Sequence, residues 1–213
     1  MFSRVLACPI NTAKSPVSKS NISDVSPSEI NSQTLKMKVF GYGSLIYKTD
    51  VPVVNKEIVC IKGWRRVFFQ GSTDHRGTVE KPGRVCTLLP DKDSVCWGIV
   101  FTLDPLHIKE SIEKLDFRER NGYSVESLEV FTHQADTEPL YTQVLTYIAK
   151  PDNEVYLGDA PIDLIAKQVV DCSGHSGKNS CYVLKLAQAV RELMPHVEDD
   201  HLFSLERAIL GLL

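Results

Sequence analysis

The hydrophobic pattern of the chain becomes strand-like at Met37. From there, apolar residues come in short runs rich in β-branched and aromatic side chains, and turn residues bound each run, which is typical of β-strands. Six strands are predicted, in MKVFGYG, GWRRVFFQG, GRVCTLLP, SVCWGIVFTL, SVESLEVFT and LYTQVLTYIA.

Four other segments have helical periodicity. PLHIKESIEKLDF repeats apolar residues at Leu106, Ile108, Ile112 and Leu115 after Pro105, and proline is common at the first helical position. PIDLIAKQVVDC, GKNSCYVLKLAQAVREL and EDDHLFSLERAILGLL also space apolar residues three and four apart. Strands followed by helices, without an internal repeat, indicate an α+β fold with a helical C-terminal third.

Residues 1–36 carry neither pattern. They are rich in Ser, Asn, Pro and Lys and contain no acidic residue before Asp24. Such a segment cannot bury enough apolar surface to offset the entropy of ordering, so we expect a disordered extension ahead of a domain at 37–213. Its basic, hydroxylated start is similar to an organelle transit peptide, but it is poor in arginine, so targeting is the less favoured alternative.

Length and charge narrow the class of protein. A chain of 213 residues that is 43% hydrophobic can bury the core of one domain. A net charge of -3 gives no general electrostatic reason to bind nucleic acid or an anionic membrane, so a small-molecule partner is expected. No apolar run approaches the roughly 20 residues of a membrane-spanning helix.

The reactive side chains exclude several kinds of site. The six cysteines are scattered without a CxxC pair and no histidine has zinc-site spacing, so we expect reduced thiols and no metal. Ser72, Asp74 and His75 are too close in sequence for a hydrolase triad, whose members come from distant segments. Arg76 and Arg84 could each bind a substrate carboxylate or pair with surface acids.

The stretch VFGYGSLIYK, Val39–Lys48, interrupts an apolar run with Gly41-Tyr42-Gly43-Ser44. It satisfies neither the GxGxxG fingerprint of dinucleotide-binding folds nor the GKS or GKT of phosphate loops. Glycines let backbone N–H groups approach a ligand closely, and such an arrangement suits a carboxylate or an oxyanion. A plain bulge or tight turn is the alternative.

A charged segment, LDFRERNGYSVE, follows the first predicted helix. Asp116, Arg118, Glu119 and Arg120 precede the turn pair Asn121-Gly122. By itself, this composition is typical of a solvated helix terminus.

Taken together, these segments resemble the ChaC-type, glutathione-specific γ-glutamylcyclotransferases from Met37 to the C-terminal helix. FGYGSLIYK, WRRVFFQGSTDHRGTVEKPGRVCTLLP, LDFRERNGY, YLGDAP and EDDHLF match that family in order and spacing. The LDFRE-x-x-GY form resembles the shorter branch of the family, whose proteins usually start where Met37 lies. Three positions depart from the usual pattern: Phe69 replaces Trp, Asn121 replaces Gly and Asp159 replaces Pro.

The resemblance implies one γ-glutamylcyclotransferase-like domain at 37–213, a small mixed β-barrel or sheet flanked by helices. It implies conversion of glutathione to 5-oxoproline and cysteinylglycine without a cofactor. Reduced thiols favour a cytoplasmic protein, and we expect a monomer. Glu119 would be the general acid/base. The implied substrate-binding residues are Tyr147 and the loop Val39, Phe40, Gly41, Tyr42, Gly43, Ser44 and Leu45.

Two alternatives remain open at the level of sequence. The loop recognises a γ-glutamyl end, so other γ-glutamyl dipeptides or amines could be the substrate. A module that binds γ-glutamyl groups without catalysis is the second alternative.

Overall fold

The computed structural model describes residues 37–118 and 122–213, and a five-stranded mixed sheet is its centre. The strands are β1 (Lys38–Gly41), β2 (Val53–Ser72), β3 (Gly83–Leu103), β4 (Ser124–Val130) and β5 (Tyr141–Ile148). Their order in the sheet is β2-β3-β1-β5-β4. β1 pairs antiparallel with β3 and parallel with β5, so the predicted α+β class with a mixed sheet is confirmed. The predictions for residues 1–36 and for Glu119 lie outside the described residues.

β2 and β3 form one long antiparallel hairpin, although the turn residues in the sequence predict shorter strands. GRVCTLLP and SVCWGIVFTL were predicted as two strands, and both belong to β3. The first half of β2 was not predicted. The register shifts between Lys62 and Trp64, where Gly63 has a φ of 77°, opposite the polar residues 91–94. The turn-like sequence therefore marks an irregularity inside a continuous hairpin.

The sheet curls but remains open. Cys60 of β2 and Phe131, which follows β4, exchange two backbone hydrogen bonds of 2.8 Å. Across residues 37–118 and 122–213, the strand ladders do not continue from this bridge into a closed ring. The predicted mixed sheet is confirmed, and the alternative prediction of a β-barrel is wrong.

Four α-helices and a small hairpin complete the described chain. They are α1 (Ile108–Arg118), α2 (Ile162–Asp171), the hairpin of β6 (Ser173–Gly174) and β7 (Gly177–Lys178), α3 (Asn179–Leu193) and α4 (Asp200–Leu210). This confirms the helical C-terminal third. None of the described helices combines the length and apolar character needed to cross a membrane.

The start of the α1 segment differs from the prediction. Pro105–His107 forms a 3₁₀ turn, and the Asp104 side chain caps it by accepting from the Leu106 amide at 2.9 Å. Ile112 and Leu115 are buried as predicted, but Leu106 is 88% exposed. The 3₁₀ turn precedes the α-helix and changes the angular spacing of side chains, so Leu106 does not share the buried face.

A bulge in β2 provides the contact for α4. Phe68 lies where the register shifts, and its amide donates to Nε2 of His201 at 3.1 Å. The His201 ring stacks on Phe68 at 5.9 Å between ring centroids and meets Phe69 edge-on at 5.4 Å. Because Nε2 accepts a hydrogen bond, the imidazole is neutral in this arrangement.

We expect the free energy of unfolding to decrease as the pH falls below about 6.5, the ordinary pKa of histidine. Burial lowers the pKa of His201 in the folded chain. The unfolded chain therefore binds more protons here, so the stabilisation is present above the unfolded pKa and is lost as the pH falls through the folded one. Urea unfolding midpoints between about pH 5 and pH 8 measure this dependence.

His201→Gln should flatten that dependence, whereas His133→Gln, which removes an exposed histidine, should leave it unchanged. An unaltered slope in His201→Gln would show that other groups cause the acid sensitivity.

Candidate active site

A cavity of about 1320 Å³ opens where β1 ends, and it collects most of the residues predicted for substrate binding. The predicted residues that line it are Phe40, Gly41, Tyr42, Gly43, Ser44, Leu45 and Tyr147. Val39 does not line it, since it is buried and pairs with Phe101 and Leu145 within the sheet. Glu119 lies outside the described residues, while Arg118 and Tyr123 line the cavity from either side of 119–121.

The glycine loop is closely packed against protein as well as open to the cavity. After β1 the chain forms a 3₁₀ turn at Ser44–Ile46, whose first hydrogen bond runs from the Ile46 amide to the Gly43 carbonyl at 3.0 Å. A Cβ on Gly43 would lie 2.8 Å from Sγ of Cys86 and 3.3 Å from Oη of Tyr182. Gly43 is thus required by its protein neighbours, a reason that the sequence did not predict.

Gly43→Val is expected to lower the free energy of unfolding by about 1–3 kcal/mol, the usual cost of overpacking, and to reduce kcat/KM for the substrate of this cavity because the loop changes shape. The new side chain must displace Cys86, Tyr182 or the loop itself. Steady-state kinetics together with thermal unfolding separate binding from stability. Gly211→Ala is the matched control, because its Cβ would meet nothing closer than 3.6 Å. Normal kinetics in Gly43→Val would contradict a binding role for this loop.

Tyr147 connects the loop to the end of α1. The Tyr42 hydroxyl donates to the Tyr147 carbonyl at 2.7 Å, and the Tyr147 hydroxyl donates to Oδ1 of Asp116 at 2.7 Å. Tyr147 lies on β5, the parallel neighbour of β1, so the sheet fixes its position relative to the loop. This chain of hydrogen bonds couples two segments that the sequence separates by more than 60 residues.

Arg118, the last described residue of α1, makes a second connection to the loop. Its Nη2 donates to the hydroxyl of Ser44, and its Nη1 lies 2.9 Å from Oδ1 of Asp50. The helix end that immediately precedes Glu119 is therefore held against the glycine loop at two points, by Asp116 through Tyr147 and by Arg118 directly.

Two tyrosines of the cavity lining, Tyr47 and Tyr182, have hydroxyls that stay protonated. The Tyr182 hydroxyl lies 3.0 Å from Sγ of Cys86, and burial raises the pKa of Tyr182 well above its ordinary value. Burial also raises the pKa of Tyr47 to about 12. Both hydroxyls are hydrogen-bond donors near neutral pH and are poorly suited to act as general bases.

His75 is the alternative proton acceptor in the cavity lining. Burial lowers its pKa, so the imidazole is neutral near pH 7. Its Nδ1 lies 2.8 Å from Oγ of Ser176. Oγ of Ser72 accepts from the Arg76 amide at 3.0 Å, and no hydrogen bond among the described residues joins Ser72 to His75, so the rejected triad of Ser72, Asp74 and His75 is not assembled.

The two arginines singled out in the sequence have different positions. Arg84 is buried outside the cavity lining, where its Nε donates to Gln168 at 2.7 Å and its Nη1 to the Gly158 carbonyl at 2.8 Å. It holds segments of the fold together and matches neither predicted role. Arg76 lines the cavity.

The cysteines follow the sequence prediction within the described chain. None of the five described cysteines forms a disulfide, and four of them are buried: Cys60, Cys86, Cys96 and Cys172. Cys181 is exposed, and Cys8 lies outside the described residues.

Several cavity residues were not predicted. Tyr47, Cys86, Tyr123, Ser176 and Tyr182 all line it. Tyr182 has the periodicity of a core residue of α3, and Ser176 belongs to the short β6–β7 hairpin, so no local signal distinguishes them. Of the three departures from the family pattern, Phe69 and Asp159 are not in the cavity lining, and Asn121 lies outside the described residues.

Comparison with known proteins gives consistent relatives. Residues 37–211 match the family described as "ChaC-like protein". The chain is 40% identical over 187 residues to glutathione-specific gamma-glutamylcyclotransferase 1 of Danio rerio. The alignment covers 87% of this chain and 94% of the relative. It is 41% identical over 183 residues to gamma-glutamylcyclotransferase 2-3 of Arabidopsis thaliana, with 84% and 91% covered.

A crystal structure of a γ-glutamyl cyclotransferase specific to glutathione from yeast superposes with a TM-score of 0.74 at 31% identity. The match covers 83% of this chain and 96% of the yeast chain.

Proposed function

We propose, because this chain belongs to the ChaC-like protein family, that it is a glutathione-specific γ-glutamylcyclotransferase. The enzyme is a lyase that converts glutathione to 5-oxoproline and cysteinylglycine. The observation that carries the proposal is the family match over residues 37–211, together with relatives of that name covered over most of their length.

The reaction is an internal aminolysis. The α-amine of the γ-glutamyl group attacks its own γ-carbonyl, a C–N bond closes the five-membered ring, and the bond to the cysteine nitrogen breaks. The α-amine loses a proton and the leaving nitrogen gains one, so no water is consumed. Because the ordinary pKa of an α-amine is about 8, most substrate is protonated at neutral pH and a positioned base is needed.

Glu119 is the base that we propose. Its position in LDFRERNGY matches the family motif, and the preceding residue, Arg118, contacts Ser44 of the glycine loop. A carboxyl group sequestered beside apolar walls has a raised pKa, which suits a group that takes a proton from one nitrogen and returns it to another.

The glycine loop is the proposed site for the γ-glutamyl end of glutathione. Its backbone amides can bind the α-carboxylate and stabilise the oxyanion that forms on the γ-carbonyl, and removing one oxyanion donor typically costs about 3–4 kcal/mol. The loop must also fold the γ-glutamyl chain so that the nitrogen and the carbonyl carbon approach to about 3–3.5 Å. Packing of Gly43 against Cys86 and Tyr182 supports a rigid loop.

A substrate comparison tests the proposal. Release of 5-oxoproline from glutathione and from γ-glutamyl-alanine should be measured side by side, and glutathione should have the much higher kcat/KM. Comparable values would favour the broader γ-glutamyl activity. Equilibrium binding of glutathione without product would favour a non-catalytic binding module.

We further propose that the enzyme works as a cytoplasmic monomer. The described cysteines without disulfides support a reducing compartment. Sedimentation measures the assembly state, and fractionation of cells measures the compartment.

A further inference from the structure

The described cavity lining contains four cationic side chains: Lys48, Arg76, Lys114 and Arg118. Two of them face carboxylates, since Lys114 lies 2.7 Å from Glu110 and Arg118 lies 2.9 Å from Asp50. Lys48 is exposed. Arg76 is half-buried, and it is the cation of these four that neither faces a carboxylate among the described residues nor is exposed.

Neutral groups hold the Arg76 side chain in place. Its Nη1 donates to the Ser176 carbonyl at 2.7 Å and to the Lys178 carbonyl at 3.3 Å, and its guanidinium carbon lies 5.6 Å from the centre of the Tyr182 ring. Within residues 37–118 and 122–213, no carboxylate lies within ion-pair distance of it. Among the described residues, the fold therefore positions a positive charge in the cavity without pairing it to an acid.

A buried hydroxyl accompanies this charge. The Tyr47 hydroxyl is shielded from solvent and makes no hydrogen bond of ordinary geometry in the described part of the chain, while the Arg76 side chain is near enough to act on it as a weak donor. The Tyr47 ring lies 6.4 Å from that of Tyr182, edge-on, and the charge of Arg76 acts on its ionisation. A buried donor left without a partner is costly, by about 1–3 kcal/mol, so such groups usually indicate a ligand or an ordered water.

We propose that Arg76 and the Tyr47 hydroxyl bind the glycyl carboxylate of glutathione and thereby set the specificity for the tripeptide. The inference rests on the proposed function and deepens it. Glutathione carries two carboxylates, and the backbone amides of the glycine loop account for one of them. A guanidinium supplies two parallel N–H donors, which match the second carboxylate.

The order of the groups along the cavity agrees with the order along the substrate. Tyr182 separates Arg76 from the loop, because its ring faces the guanidinium and its hydroxyl lies 3.3 Å from the position of a Gly43 Cβ. The cysteinyl and glycyl residues of glutathione extend about 7 Å beyond the γ-carbonyl. When the γ-glutamyl group occupies the loop, the glycyl carboxylate can therefore reach Arg76.

The test compares glutathione with its glycyl monoethyl ester, which has the same γ-glutamyl amide but lacks the second negative charge. The unmodified enzyme should prefer glutathione by about 10- to 100-fold in kcat/KM, mostly through KM, since hydrogen bonds to charged groups are of that strength. Arg76→Met should lower kcat/KM for glutathione to the value for the ester and should change the ester by less than about twofold.

Two further variants make the result specific. Tyr47→Phe keeps the ring and removes only the hydroxyl, so it should produce a smaller loss for glutathione, about 3- to 10-fold, and none for the ester. If Arg76→Met does not fold, the comparison of glutathione with the ester in Tyr47→Phe decides the test. Arg65→Met is the matched control, because Arg65 lies outside the cavity lining and contacts Asp91 at 3.6 Å.

Equal losses for glutathione and ester in Tyr47→Phe and Arg76→Met, or no loss in either, would overturn the inference. These outcomes differ from failure of the proposed function, in which the unmodified enzyme releases 5-oxoproline from neither compound.

Discussion

Glu119→Gln is expected to abolish measurable glutathione turnover, with a loss in kcat of at least about 10²- to 10⁴-fold, the usual contribution of a positioned general acid/base. An amide has the same shape as the carboxyl group but cannot relay a proton from the α-amine to the leaving nitrogen. Folding should be retained, because the neighbouring contacts of Asp116 with Tyr147 and of Arg118 with Ser44 do not involve this side chain.

The measurement is release of cysteinylglycine, with glutathione binding followed by calorimetry. Binding should remain close to that of the unmodified enzyme. Glu129→Gln makes the same chemical change on an exposed position of β4 and should be fully active. His75→Gln tests the neutral imidazole of the cavity lining as the alternative base. Turnover that survives in Glu119→Gln and disappears in His75→Gln would assign the proton transfer to His75.

The fold could be predicted to the extent that local patterns determine it. The three C-terminal helices have apolar residues three and four apart over their whole length, and the structure contains all three. The sequence predicts separate shorter strands in place of the β2–β3 hairpin, because residues 91–94 have turn chemistry. Pairing with β2 resumes beyond Gly63, and this long-range contact overrides the local signal.

The candidate site was predictable only where one short segment supplies several of its residues. Gly41 and Gly43 interrupt an apolar run, so a single short motif predicts a ligand-binding loop. Tyr47, Tyr182 and Ser176 reach the same cavity from a 3₁₀ turn, a helix and a hairpin, and their proximity depends on how α3 packs against the sheet. Nothing in their immediate sequence separates them from core or loop residues.

Asp199→Ala is expected to lower the free energy of unfolding by about 3–5 kcal/mol, because it leaves a buried charge without its partner. The Arg66 side chain is 0% exposed, and its Nη1 lies 2.7 Å from Oδ2 of Asp199. Oδ1 of the same carboxylate caps α4 by accepting from the Leu202 amide at 2.9 Å, which adds a helix-cap loss of about 1 kcal/mol. Urea unfolding with a fixed m-value measures the change.

Two comparisons separate the buried charge from a general loss of contacts at α4. Asp91→Ala removes the acid from an exposed pair with Arg65 and should cost no more than about 1 kcal/mol. Combining Arg66→Met with Asp199→Asn removes both charges and retains a side chain that can cap α4, so the double variant should be more stable than Asp199→Ala alone. If the double variant is the less stable of the two, packing and hydrogen bonds of Arg66 stabilise the contact more than its charge pairing does.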